Sequence, residues 1–242
     1  MKVGELTNYE IPGYCVQKLQ EEKINELYPP QADVIKRNLL GQNLMISMPT
    51  AGGKTLIATL AIAKKLSENK CKIIYIVPLV ALGNEKYQYF KNFFEGKYKV
   101  TLSVGEYDSS DPFLADYDII VVTSEKMDSL LRHNIEWAEK IGLIIVDEIH
   151  MINDSSRGPT LEILLTKLRG LCPRANTLSL SATVNNAKEL AEWLNATLVL
   201  SDFRPVKLYQ GIAYNSKITF PSHKHSYDLS GGELEEDIVQ HT

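Results

Sequence analysis

Seven short runs of aliphatic and β-branched residues, separated by segments of helical period, constrain this chain more than any other feature. The runs fall at residues 43–48, 72–77, 99–104, 118–122, 143–146, 177–180 and 197–200. Each is too continuously apolar for a strand with one wet face, and suits a strand buried on both faces, as in a parallel sheet. Between them, apolar residues recur at helical spacing in residues 53–66, 79–94, 125–132, 160–168 and 187–194. This alternation predicts an α/β domain, a mostly parallel sheet with helices on both faces. No run approaches the ~20 residues needed to span a bilayer. The opening MKVGELTNYE lacks the apolar core of a secretory leader, so the expectation is a cytoplasmic protein with no membrane partner.

Both ends depart from the alternation. Residues 1–28 hold one short helical pattern (Val16, Leu19, Ile24, Leu27), closed by Pro29 and Pro30. The alternating core occupies residues 29–205. In residues 206–242, KLYQGIAYNSKITF reads as a hairpin turning at Tyr214, Asn215 and Ser216, followed by the polar PSHKHSYDLSGG. The closing ELEEDIVQ places acids at a helix N-terminus. The tail is therefore expected to be a hairpin and linker leading to a second domain absent from the chain.

Charge and cysteines exclude other classes. The chain has 26 Lys and Arg against 30 Asp and Glu, a net charge of −4, so nothing global attracts nucleic acid. Any such site must be a local patch. Cys15, Cys71 and Cys172 form no C-x-x-C pair, which argues against a disulfide scaffold or zinc knuckle and for reduced, buried thiols. His223 and His225 have no carboxylate or thiol beside them and read as solvated loop. Trp137, between Glu136 and Glu139, reads as packing.

The sharpest local signal begins at Met45. A buried strand enters a small-residue loop, Pro49, Thr50, Ala51, Gly52 and Gly53, and then Lys54 and Thr55 open a helix. Small residues let backbone N–H groups fold around phosphate oxygens, and the helix N-terminus adds free donors. Lys54 would reach the β- and γ-phosphates of a nucleotide, and the Thr55 hydroxyl would ligate Mg²⁺. The strict loop pattern wants glycine where Met48 stands. By itself, Gly-Lys-Thr also reads as a mere helix start.

A second signal reinforces the first. The apolar strand ending at Val146 runs into Asp147 and Glu148. One carboxylate can hold Mg²⁺, usually through water, and its neighbour can orient an attacking water.

Together with Tyr28, Pro29, Pro30 and Gln31, with residues 78–82, with Thr123, Ser124, Glu125 and Lys126, with Asp147 through His150, with Arg157, Gly158 and Pro159, and with Ser181, Ala182 and Thr183, these motifs resemble superfamily-2 DExH-box helicases. More narrowly they are similar to the Ski-two-like branch, and within it to archaeal replication-fork DNA helicases related to the helicase domain of polymerase theta. The resemblance covers roughly residues 5–215. It implies a RecA-like P-loop domain, the first lobe of a two-lobe motor, with ATP and Mg²⁺ as cofactors. Gln31 would read adenine. Residues 49–55 would bind ATP, Thr55 and Asp147 the metal, and Glu148 the attacking water. His150, Ser181, Ala182 and Thr183 would couple hydrolysis to lobe movement, their strand lying between the carboxylate strand and the loop strand. Pro78, Leu79, Val80, Ala81, Thr123, Ser124, Lys126 and Arg157 would contact nucleic acid at the carboxyl edge of the sheet. Val80 stands where relatives often carry Lys or Arg.

The function implied is the ATP-binding first motor lobe of a 3′-to-5′ DNA helicase on forked or single-stranded DNA, partnered in cis by a second RecA-like lobe. An RNA helicase of the same branch and a non-unwinding P-loop module are the alternatives. A small-molecule kinase is disfavoured, because no lid or acceptor pocket is visible.

Overall fold

The structure is a computed structural model that describes residues 1–105, 111–133, 135–206, 212–214, 217–219 and 226–228. It divides into two compact units, Met1–Asp202 and Phe203–Thr242. In chain order the first unit contains α1 (Gly13–Glu21), α2 (Pro29–Lys36), β1 (Leu44–Ser47), α3 (Lys54–Glu68), β2 (Lys72–Val77), α4 (Val80–Phe93) and β3 (Val100–Ser103). It continues with β4 (Ile119–Thr123), α5 (Ser124–Arg132), β5 (Ile141–Val146), α6 (Gly158–Leu171), β6 (Asn176–Ser181), α7 (Ala187–Trp193) and β7 (Thr197–Leu200).

The seven strands form one sheet in the order β3-β4-β2-β5-β6-β1-β7. Every pairing in it is parallel, so the expected mostly parallel sheet is wholly so. Strand β6 lies between β5 and β1, where the helicase resemblance put it. Successive residues of β2 feed opposite cores. Ile73, Tyr75 and Val77 join one cluster with residues of α1 to α4, while Ile74 and Ile76 join another with residues of α5 to α7. Two-sided burial is why these strands read as continuous apolar runs. Trp137 is buried in the second cluster, as its flanking acids suggested.

The amino-terminal residues share the first core through Val3, Leu6, Cys15, Leu19 and Leu27. The expected helical pattern through Ile24 and Leu27 is corrected: α1 ends at Glu21. Lys23 takes a left-handed φ of 61°, and the Ile24 N–H bonds back to the Leu19 carbonyl at 2.8 Å. That is a Schellman stop, which turns Ile24 into the core from outside the helix.

In the second unit β8 (Ile212–Tyr214), β9 (Lys217–Thr219) and β10 (Ser226–Asp228) form an antiparallel sheet in the order β10-β9-β8, with Tyr214 opposite Lys217. The turn residues Asn215 and Ser216, His223 and His225, and the helix expected at 233–237 lie outside the described residues. Among the described residues no helix is long and apolar enough to cross a membrane.

Candidate nucleotide and nucleic-acid site

Strand β1 delivers the chain to a tight loop at the carboxyl edge of the sheet. Pro49 is buried, whereas Thr50 and Ala51 are exposed. Ala51 has φ 65° and Gly53 φ 81°, both left-handed. A side chain on Gly53 would also strike Gln31 Nε2, 2.1 Å from the position of a Cβ. Met48, which departs from the usual loop pattern, is fully buried, and the loop packs closely at Gly52: a Cβ there would lie 2.8 Å from the Met48 sulfur and 3.0 Å from the Pro49 carbonyl oxygen.

Lys54 opens α3 and points back into the loop. Its Nζ donates to the Met48 carbonyl at 3.0 Å and the Pro49 carbonyl at 3.3 Å. Burial pushes the Lys54 ammonium below its ordinary pKa and the nearby Lys86 charge adds to this, while the Glu148 and Asp147 carboxylates oppose it. Gln31 is 3% exposed. Its Oε1 accepts from the Tyr28 N–H at 2.8 Å and its Nε2 donates to the Gly53 carbonyl at 3.0 Å. Gln31 therefore caps α2 and ties that helix to the loop. A hollow of about 620 Å³ is lined by Tyr28 with Met1, Glu26, Leu27, Asp33 and Lys36 among others.

Strand β5 supplies the carboxylates. Asp147 is buried, and its two oxygens accept from the Tyr75 hydroxyl at 2.8 Å and the Glu148 N–H at 3.0 Å. Glu148 stands in the left-handed region, φ 51° and ψ 45°. His150 Nδ1 lies 3.4 Å from the Ala182 N–H and 3.3 Å from Glu148 Oε2. The nitrogen accepts from Ala182 when unprotonated and donates to Glu148 when protonated. Ser47 and Ser181 hydroxyls both donate to the Ala182 carbonyl, at 3.1 and 2.7 Å, which fastens the ends of β1 and β6 together. Thr183, next along, is exposed.

Two residues not anticipated from the sequence complete the site. Tyr75 pins Asp147. Lys86, on α4, is 9% exposed and donates to Thr55 Oγ1 at 3.1 Å and to Glu85 at 3.0 Å. The signal for Lys86 was present: it falls on the buried stripe Gly83, Lys86, Phe90, Phe93, at helical spacing. Thr55 offers a hydroxyl and Asp147 and Glu148 offer carboxylate oxygens, hard ligands of the kind Mg²⁺ takes beside water and phosphate.

The expected nucleic-acid residues separate into two groups. Leu79, Val80 and Ala81 are exposed past the end of β2, and Arg157 is half-buried with Nη1 on the Pro78 carbonyl at 2.8 Å. Gly158 behind it is forced, since a Cβ there would lie 2.2 Å from the Ile152 carbonyl oxygen. Thr123, Ser124 and Lys126 are buried instead. Thr123 Oγ1 caps α5 by accepting from the Lys126 N–H, and the Lys126 ammonium pairs with Asp111 at 2.8 Å.

A parallel sheet in this order, with a lysine-bearing loop after β1 and adjacent carboxylates after β5, defines a RecA-like P-loop lobe. The DEAD/DEAH box helicase family model matches residues 28–190, and the chain belongs to that family. Its relatives include the ATP-dependent DNA helicase Hel308 of Pyrococcus abyssi, 50% identical over 88% of this chain and 29% of that protein. The Hel308 proteins of Pyrococcus horikoshii and Methanocella arvoryzae are 44% and 43% identical over 99% and 100% of this chain, each matched over 33% of its own length. The chain thus spans about a third of the length of these relatives. The helicase family recognised from the motifs agrees with these matches. Among solved structures, the DUF1998 helicase MrfA bound to DNA shares the fold with a TM-score of 0.70 at 22% identity, over 80% of this chain and 30% of that one.

Proposed function

We propose that the chain is the ATP-binding first motor lobe of a 3′-to-5′ DNA helicase that works in the cytoplasm on forked or single-stranded DNA. The observation that best supports this reading is that Lys54 and Thr55, opening α3 after β1, and the Asp147–Glu148 pair after β5 stand at the carboxyl ends of strands of one parallel sheet, with the Lys54 ammonium turned back onto the loop carbonyls of Met48 and Pro49. In this reading Gly52 to Thr55 hold the β- and γ-phosphates of ATP, with adenine beside Gln31. Thr55 and Asp147 would hold Mg²⁺, which would supply charge stabilisation there. Glu148 orients the attacking water. His150, Ser181, Ala182 and Thr183 relay the state of the site to a second lobe. Residues 78–81 and Arg157 meet the DNA backbone, joined by Thr123, Ser124 and Lys126 if the Asp111 pair opens. DNA is favoured over RNA because relatives at 43–50% identity are DNA helicases.

Phosphoryl transfer is mainly positioning and charge stabilisation, and an arginine finger from a second lobe is worth roughly 10³–10⁵ in rate. Residues 1–242 should therefore bind ATP, hydrolyse it negligibly and unwind nothing. Phosphate release, measured with and without single-stranded DNA, tests this. Adding a second lobe should bring DNA-stimulated turnover, which Glu148→Gln should remove while leaving ATP binding intact. Strong DNA-stimulated turnover by the chain alone would overturn the half-motor reading.

A further inference from the structure

The Thr55 hydroxyl has a rival claimant. Lys86 reaches it from α4 at 3.1 Å, on a side chain that is itself nearly buried. Helix α4 is fixed from below, because Gly83 approaches Val77 and Leu102 closely, at 3.3 Å from the position of a Cβ. The lysine is thus delivered to Thr55 by packing. A divalent cation on Thr55 Oγ1 would come within a few ångströms of the Lys86 ammonium, a distance at which like charges repel strongly near a protein surface. The hydroxyl has lone pairs for both, so the competition is one of charge: holding both there places two cations side by side. Glu85, exposed at the rim and already bonded to Lys86 at 3.0 Å, offers the lysine a place to go.

We infer that Lys86 is a positioning residue that competes with the divalent metal for Thr55 and so sets how strongly nucleotide binding depends on metal. The inference rests on the ATP and Mg²⁺ reading above. Metal-free ATP gains a counter-charge from Lys86 beside its phosphates. Metal-bound ATP must displace it. The lysine lowers the affinity of the metal complex and raises that of the free nucleotide, narrowing the gap between them.

The test is titration calorimetry of the 242-residue chain with ATP, once with excess Mg²⁺ and once with EDTA, read as the ratio of the two dissociation constants. Lys86→Met should tighten Mg²⁺–ATP and weaken metal-free ATP, widening the ratio by about tenfold, a fraction of the like-charge repulsion removed. Lys86→Gln, also uncharged, must move the ratio in the same direction, while Lys86→Arg keeps the charge and should leave it near wild type. Circular dichroism checks that each variant folds. Parallel weakening of both forms would make Lys86 a plain phosphate contact and overturn the inference, as would an unchanged ratio. If the wild-type chain bound ATP in neither condition, the ATP reading itself would fall, which is a different result.

Discussion

The Tyr75 hydroxyl, on β2, donates a 2.8 Å hydrogen bond to Oδ2 of Asp147, one residue beyond the end of β5. Tyr75 is wholly buried, and burial, with the Asp147 charge, pushes its phenol well above its ordinary pKa, so it stays a donor at any working pH. With the Glu148 N–H on the other oxygen, the carboxylate is oriented by the fold itself. Tyr75→Phe removes one donor from a buried carboxylate. It should cost about 1.5–3 kcal/mol in urea unfolding, the usual worth of a hydrogen bond to a charged group.

Two glycines of α6 should respond oppositely to alanine. At Gly158 the new methyl would meet the Ile152 carbonyl oxygen at 2.2 Å, whereas at Gly170 nothing stands within 4 Å. Gly158→Ala should destabilise by about 1–3 kcal/mol through forced displacement of backbone. Gly170→Ala should stabilise by about 0.5–1 kcal/mol, the helix preference for alanine. Parallel thermal melts of the two variants are a direct comparison.

Lys54 is held in the loop against its own solvation, since burial depresses its pKa. Replacing it with methionine removes a desolvated charge and keeps most of the stem. Lys54→Met should abolish ATP binding in calorimetry while leaving the melting temperature equal or higher, the pattern expected where a functional group is kept at a cost in stability.

Single-stranded DNA should bind weakly and without sequence preference, with log affinity falling against log salt by about 0.7 per phosphate neutralised. Arg157→Glu should weaken binding and flatten that slope in fluorescence anisotropy. Lys126→Glu should do more than that: it would set two carboxylates side by side at Asp111 in a buried position, so its melting temperature should fall as well.

Burial raises all three thiols, Cys15 up to about 12, with Cys71 the half-buried one. Iodoacetamide at pH 8 should label Cys71 first, and mass spectrometry of timed digests will show the order. Because burial raises the Cys15 pKa above its ordinary value on folding, its contribution to stability is full below that ordinary value and is lost as pH climbs toward about 12.

Strand positions were legible because burial on both faces writes itself as uninterrupted apolar runs: β2, buried at every residue, begins and ends where its run does. The edge strand β7 also matches its run, 197–200, although it is only partly buried. The phosphate loop and the Asp147–Glu148 pair were legible because their chemistry demands adjacent residues. Tyr75 acts from the neighbouring strand and Lys86 from another helix of the same core, both distant in sequence from their partners, so only packing brings them to Asp147 and Thr55. The end of α1 was misread for a related reason. Ile24 lies at helical spacing, yet a left-handed Lys23 sends it into the same core by another route.

The left-handed backbone at Glu148 has a consequence for how this lobe can change over generations. Outside glycine, such a conformation costs roughly 1–2 kcal/mol and is borne best by asparagine and aspartate. A population selected in the laboratory for thermal endurance alone should therefore drift at position 148 toward glycine and asparagine, while one selected for turnover should hold the glutamate. Opposite selections would pull on one codon, and sequencing the survivors of each would read the trade directly.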